Sequence, residues 1–331
     1  MNKKYLDQLF NNSKSEKIFV IGDIMLDRYL FGDVNRISPE APVQVFDIRR
    51  SEYRLGGAAN VGLNIKSLGS EPVLIGVIGN DNEGKLLINE LENLNLRTDG
   101  LIIEDDRPTT CKTRVISDSH HLLRIDSESK DEISEVSEKK IISYLEKTSD
   151  ESGIIILQDY NKGVLSKSII KKIIKFAEER GIKILVDPKF DNFFEFGNVY
   201  LFKPNRKELE DAFGRKMKNS EDFEQTAKEL LNKLKCENLI LTLGEKGMMI
   251  LENSNGELKI GKIETKARKV ADVSGAGDTV ISTIAVCLAG GAGIKDAAEI
   301  SNHAAGLVVE EVGIVPVNKE SLIENILKDN I

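Results

Sequence analysis

Histidine is scarce: His120, His121 and His303 are the whole complement of a 331-residue chain. That leaves little material for a Ser-His-Asp triad or a multi-histidine metal site. Cysteine is equally sparse, since Cys111, Cys236 and Cys287 are odd in number, far apart and outside any C-x-x-C pair. Neither a disulfide framework nor a zinc site is suggested, and reduced, buried thiols are expected. No apolar run approaches the roughly 20 residues that span a bilayer, and the opening MNKKYLDQLFNNSKSEK is polar throughout. A cytoplasmic protein with no membrane partner is expected. The 46 basic against 54 acidic residues give a net charge of −8, which also works against contact with nucleic acid. No repeat, low-complexity tract or Pro/Gly/Ser linker divides the chain, so one domain over 1–331 is expected. Carboxylates, lysines and backbone amides are left to perform any chemistry.

With 40% hydrophobic and 30% charged residues the composition is that of an ordinary globular enzyme. Short runs rich in Ile, Val and Leu (KIFVIGD, PVLIGVIG, GIIILQD, IKILVD, VYLFKPN, NLILTLG) alternate with amphipathic stretches. That alternation predicts an α/β fold: a doubly wound, mostly parallel sheet with helices on both faces. In segments 28–50 and 109–125 charged and apolar residues interleave instead, which predicts the strands of a half-exposed β lid inserted in the domain.

Several predicted strands end in a polar residue, namely Asp23, Asp159, Asp187, Asn205 and Thr242. In open α/β sheets ligands bind beyond the carboxyl ends of the strands. Asp, Asn and Thr also begin turns and cap helices, so each alone is ambiguous; together they point to a cleft. The strongest motif is DVSGAGDT at 272–279, followed by the small-residue helix VISTIAVCLAGG. Gly275, Ala276 and Gly277 can bring backbone N–H groups to an anion at the positive end of that helix. Asp278, in its first turn, is placed to accept a proton from a hydroxyl beside the anion. Rival nucleotide motifs fail, because position 280 is Val where G-x-G-x-x-G needs Gly, and no G-x-x-x-x-G-K-[ST] occurs.

DVSGAGDT resembles the C-terminal signature of the ribokinase-like (PfkB) carbohydrate kinases, and RLGGAANVGLNIKSLG their N-terminal glycine signature. Across roughly 17–316, GDIMLDRYLFG, ISPEAPV, RPTTCKTRV, LLRIDSE, QDYNKG, VDPK and KPNRKE are similar to the members that phosphorylate D-glycero-β-D-manno-heptose 7-phosphate at O1. The resemblance implies ATP and Mg²⁺ as cofactors, a small sugar phosphate as substrate, and a role in supplying lipopolysaccharide heptose. It makes Asp278 the catalytic base and Gly275, Ala276 and Gly277 its anion hole. Asn205 and Glu208 become the pair that positions Mg²⁺ through water, although Asn and Glu three apart also spell a capping box. Asp187 and Lys189 fall at the ATP phosphates, Thr242, Gly244 and Gly247 on the nucleotide turn, and Asn302 and His303 at the adenine pocket. Asp23, Asp27, Gly56, Gly57 and Asn60 form the sugar wall. The cations Arg107, Lys112, Arg114, Arg124 and Lys162 are the reserve from which two or three would hold the substrate's existing phosphate. The resemblance leaves room for a monovalent cation such as K⁺ near Asp272 and for a homodimer joined through the lid. Many relatives are fused to a nucleotidyltransferase; no H-x-G-H occurs here, so that second activity is expected to be absent.

Overall fold

The computed structural model describes residues 1–329 apart from 119, 149–151, 255, 268, 269 and 312. Among these residues the strands are β1 (Lys17–Gly22), β2 (Ile24–Ile37), β3 (Gln44–Gly57), β4 (Glu71–Gly79), β5 (Leu101–Glu104), β6 (Thr110–Ser117), β7 (His120–Ser127), β8 (Ser152–Gln158), β9 (Lys183–Asp187), β10 (Leu201–Phe202), β11 (Asn238–Thr242), β12 (Met248–Ser254) and β13 (Glu257–Ile263). The α-helices are α1 (Lys3–Asn12), α2 (Ala58–Ser67), α3 (Asn82–Asn93), α4 (Glu135–Thr148), α5 (Lys167–Arg180), α6 (Arg206–Phe213), α7 (Ser220–Leu234), α8 (Ala276–Ala289), α9 (Ile294–Val308) and α10 (Lys319–Lys328).

The large sheet has the order β13-β12-β11-β10-β9-β8-β1-β4-β5. It is parallel from β11 to β5, and β12 and β13 close the other edge antiparallel. Its inner strands β1, β4, β9 and β11 read as nearly unbroken apolar runs because both faces are covered, whereas the edge strand β13 is largely exposed. Successive residues of β1 point to opposite sides: Ile18 and Val20 enter a core with α1, α2, α8, α9 and α10, while Phe19 and Ile21 enter one with α4, α5 and α7. Local signals stop and start the covering helices; Ser166 caps α5 through the Ile169 N–H, and Gly181 ends it in the left-handed region. All three cysteines are free and buried. No helix among the described residues is long and apolar enough to cross a membrane.

A second sheet, ordered β3-β2-β6-β7, forms the flap. Its strands reach further inward than the interleaved sequence pattern predicts, with β2 starting at Ile24 and β3 running to Gly57 in register with it. The inner ends carry Met25, Leu26 and Leu55, which are core residues, so burial there erases the alternation that marks the outer part. The outermost strand, β7, is exposed along its length, including Leu122, Leu123 and Ile125.

Candidate active site

The carboxyl edge of the large sheet gathers the predicted strand-end residues. Gly22 pairs with Gln158, and Gln158 with Asp187, so Asp23, Asp159 and Asp187 follow one another along the rim, while Asn205 bridges to Thr242. Helix α8 points its N-terminus at this rim. Gly275 turns the chain into it with a left-handed φ of 78°, a conformation glycine adopts at little steric cost. A Cβ at Gly277 would stand 3.6 Å from Asp187 Oδ2 and 3.7 Å from Lys203 Nζ. The first-turn amides of a helix lack intrahelical acceptors and sit at its positive end, so Gly275 and Gly277 present amides suited to a phosphoryl oxygen, whereas the expected third donor, the Ala276 N–H, is given to the Val273 carbonyl at 3.3 Å.

Asp278 is 2% exposed and heavily hydrogen-bonded. Asn60 Nδ2 on α2 donates to Oδ2 at 2.8 Å; the Tyr160 hydroxyl donates to Oδ1 at 2.7 Å and Gln158 Nε2 to the same oxygen at 3.1 Å. Burial pushes the carboxyl up to about 6, the Asn60 and Tyr160 donors pull it down, and the Asp187 carboxylate raises it again. The group is therefore an ionised base at neutral pH with a proton affinity far above that of an exposed aspartate.

Gln158 Nε2 also reaches Asp187 Oδ2 at 3.2 Å, and Asp187 is paired with the buried Lys203 at 3.0 Å. Lys189 pairs with Glu208 and lies 5.2 Å from the centre of the Tyr160 ring. Asn205 and Glu208 do form a capping box on α6, with bonds of 2.9 and 2.8 Å in the two directions. The capping role and a place at the cleft coexist, because the second oxygen of Glu208 faces Lys189.

Beside the α8 cradle opens a cavity of 690 Å³ lined by Asn205, Thr242, Gly244, Gly247, Gly277 and Asn302, with an apolar side that includes Val280, Ala305 and Val309. Its size and mixed lining suit a planar base with a polar tail. Gly247, at φ 79°, lies so close to the Ile263 carbonyl that a Cβ would collide with it. His303 departs from the sequence expectation. Its Nδ1 bonds Asn325 Oδ1 on α10 at 2.7 Å and it does not line the cavity, since neighbours on a helix point about 100° apart.

On the flap side, Arg114 pairs with Asp27 and lies 5.2 Å over the Tyr29 ring. Burial raises the Asp27 carboxyl, and Arg114 opposes it. A Cβ at Gly57, at φ 56°, would collide with the Asp23 carbonyl, so glycine is required there, while one at Gly56 would push on the Asp27 carboxylate. Lys112 and Lys162 share Glu128 at 2.9 and 2.8 Å. Arg124 pairs with Asp126 at 2.9 Å near solvent. Two more residues differ from their expected places. Arg107 is turned into the protein, donating to the Lys162 and Asp131 carbonyls and pairing with Glu104. Asp23 is 1% exposed, and its oxygens accept the N–H groups of Tyr160, Lys162 and Val164 at 2.7, 3.1 and 3.2 Å; it clamps a loop.

Sequence reading missed Gln158, Tyr160 and Lys203. Gln158 and Tyr160 flank Asp159 in QDY, where only the acid carries a strand-end signal. Lys203 was detectable, as a charge placed directly after the apolar run ending at Phe202.

A carboxylate base at a helix N-terminus, set between a nucleotide-sized cavity and a cation-bearing flap, is the arrangement of a phosphotransferase with an alcohol as acceptor. The chain belongs to the pfkB family of carbohydrate kinases, whose family model matches residues 15–320. It is 38% identical over 323 residues to the bifunctional protein HldE of Geobacter sulfurreducens, covering 98% of this chain and 65% of that protein. To the bifunctional protein HldE of Aliarcobacter butzleri it is 41% identical over 312 residues, covering 94% and 64%. The chain thus spans slightly less than two thirds of the length of these curated relatives. Among solved structures, phosphofructokinase-2 from Escherichia coli in complex with substrates and products superposes with a TM-score of 0.79 at 19% identity, covering 96% of this chain and 100% of that one. Arabidopsis thaliana ribokinase complexed with ribose and ATP gives 0.73 at 19% identity, covering 94% and 98%. Both likenesses are of fold.

Proposed function

We propose that this chain transfers the γ-phosphoryl group of ATP to O1 of D-glycero-β-D-manno-heptose 7-phosphate, giving the 1,7-bisphosphate, a precursor of lipopolysaccharide heptose. One observation carries the reaction type: the buried carboxylate of Asp278, its pKa raised to about 6, stands beside the first-turn amides of α8. Support for the heptose comes from the motifs quoted above and from the HldE relatives.

In this reading Asp278 takes the proton of the acceptor hydroxyl, and the amides of Gly275 and Gly277 hold charge on the phosphoryl oxygens as it passes across. Lys189 and Lys203 neutralise the phosphate end, and the cavity lined by Gly244, Gly247 and Asn302 receives the base. Among the described residues no group of three or more His, Cys, Asp or Glu could hold a metal ion directly. The oxygen donors of Asn205 and Glu208 at the cleft suit Mg²⁺ held through water and by phosphate oxygens, where it would neutralise phosphate charge. A monovalent cation such as K⁺ belongs near Asp272, whose carboxylate is oriented by the Ser274 and Gly313 amides. Asp27, Asn60 and the glycines beside them meet the sugar, and Lys112, Arg114 and Lys162 exchange protein carboxylates for the 7-phosphate. The exposed apolar residues of β7 support a homodimer through the flap, which a monomeric mass in light scattering would refute.

Steady-state kinetics with heptose 7-phosphate, fructose 6-phosphate and ribose test the substrate. A kcat/KM for the heptose no better than for the other two overturns the assignment and leaves a pfkB kinase of different acceptor.

A further inference from the structure

The two oxygens of Asp278 are not equivalent. A carboxylate offers about four lone-pair sites, two on each oxygen. Oδ1 receives both the Tyr160 hydroxyl and the Gln158 amide, whereas Oδ2 receives Asn60 alone. One acceptor site is therefore left, and it is on Oδ2. We propose that Tyr160 is a positioning residue for the catalytic base: its hydroxyl closes Oδ1 of Asp278 and makes Oδ2 the atom that takes the acceptor's proton. This rests on the role given to Asp278 under the proposed function.

The loop that presents Tyr160 is fixed from several sides. Asp23 accepts three of its N–H groups, including that of Tyr160 itself. Asn161 and Gly163 take left-handed φ values of 55° and 84°, and a Cβ at Gly163 would collide with the Asp131 carbonyl. Such over-determined backbone is how a fold holds a side chain in one place. Asp23, by holding the Tyr160, Lys162 and Val164 N–H groups, fixes the backbone from which the Tyr160 hydroxyl reaches Asp278. Burial also raises the Tyr160 hydroxyl well above its ordinary value, so it remains a donor at every pH at which the enzyme works.

The step balances simply. The acceptor O–H bond breaks and its proton passes to Asp278 Oδ2. The freed electron pair forms the new O–P bond to the γ-phosphorus. The bond from that phosphorus to the bridging oxygen breaks, and its pair leaves with ADP. Tyr160 keeps its proton throughout.

The groups facing Asp278 are Asn60 from α2, Gln158 and Tyr160 from the end of β8, and Asp187 and Lys189 from the end of β9, with Lys203 behind Asp187. Removing the Tyr160 hydroxyl deletes a donor that favours the ionised base. In Tyr160→Phe the Asp278 titration, read from carboxyl-¹³C aspartate resonances assigned with Asp278→Asn, should move up by roughly one to two pH units. The acid limb of kcat/KM should move with it. Site-specific 3-fluorotyrosine at 160, a stronger donor of nearly the same size, should move both down, which guards against a Phe variant that folds poorly. An Asp278 titration unchanged in both variants overturns the inference, as does a fall in kcat with no movement of the acid limb. If the titrations move but heptose 7-phosphate is not turned over, the substrate reading fails and the positioning role stands.

Discussion

At the rim of the large sheet Asp23, Asp159, Asp187 and Asp278 are each no more than 4% exposed, and their partners are backbone amides, amide and phenol side chains and one buried lysine. On the flap side, Lys112 and Glu128, each 17% exposed, pair with one another, and Arg124, 59% exposed, pairs with Asp126. Burial makes the rim interactions costly to break and fixed in geometry. An ion pair near water such as Arg124–Asp126 is worth little, with a median of about 0–1 kcal/mol, whereas Arg114–Asp27, with side chains 15% and 4% exposed, is nearly as enclosed as the rim. In the proposed reading the rim holds the reacting groups still, and the flap-side cations exchange protein carboxylates for the ligand.

The largest expected effect is at the rim. Asp278→Asn keeps an oxygen for the Tyr160 and Gln158 donors but no base, so kcat should fall by ~10²–10⁴ with little change in the KM for ATP. Near-normal turnover by that variant would remove the distinction between the two regions.

Next comes a direct contrast of two lysines. Lys203→Met leaves the Asp187 carboxylate buried without its cation, and breaking a buried pair costs about 3–5 kcal/mol. Lys112→Met, whose carboxylate partners Asp126 and Glu128 keep 24% and 17% exposure, should cost clearly less than Lys203→Met. Urea unfolding of both variants measures this, and equal losses would mean that the flap is as rigidly built as the rim.

Function should show the reverse order. Arg114→Met and Lys162→Met should raise the KM for a phosphorylated acceptor by about tenfold or more, the range of a charge-assisted hydrogen bond, while leaving the KM for ATP in place. An equal rise for an unphosphorylated sugar would show that these cations shape the flap and do not read the phosphate.

How much of this was legible in sequence follows the same division. Strand ends, the α8 turn and the Asn205–Glu208 box are local, and local patterns announced them. Partnerships across the fold were not announced: Asn60 meets Asp278 across 218 positions of sequence, and nothing near Gln158 says that its amide will join two acids. Asp23 was misplaced because a strand-end acid looks alike whether it faces a sugar or three loop amides. His303 was misplaced by one position on a helix, enough to turn its ring to Asn325. The flap cations were legible as a set, but their protein partners Asp27, Asp126 and Glu128 became visible only once strand register was known.

The smallest effect concerns Asp159, which neighbours the base without touching it. Its Oδ1 accepts the Asn161 N–H at 2.8 Å, while Oδ2 is buried without a hydrogen-bond partner among the described residues. Burial, and then the Asp23 carboxylate, push this carboxyl from 3.8 up to about 7. The folded chain therefore holds the Asp159 proton more tightly than the unfolded chain does, and stability is lost as pH rises through that interval. Below about pH 4 both states are protonated, so the full stability is present; above about pH 7 the buried charge is a constant cost. Asp159→Asn keeps the oxygen that Asn161 needs and carries no charge at any pH. Its Tm should match that of the wild type near pH 4 and exceed it by a few degrees at pH 8. A variant that melts below the wild type at pH 8 would show that the Asp159 charge is itself stabilising, and that the rim keeps this acid ionised for a purpose that burial alone does not reveal.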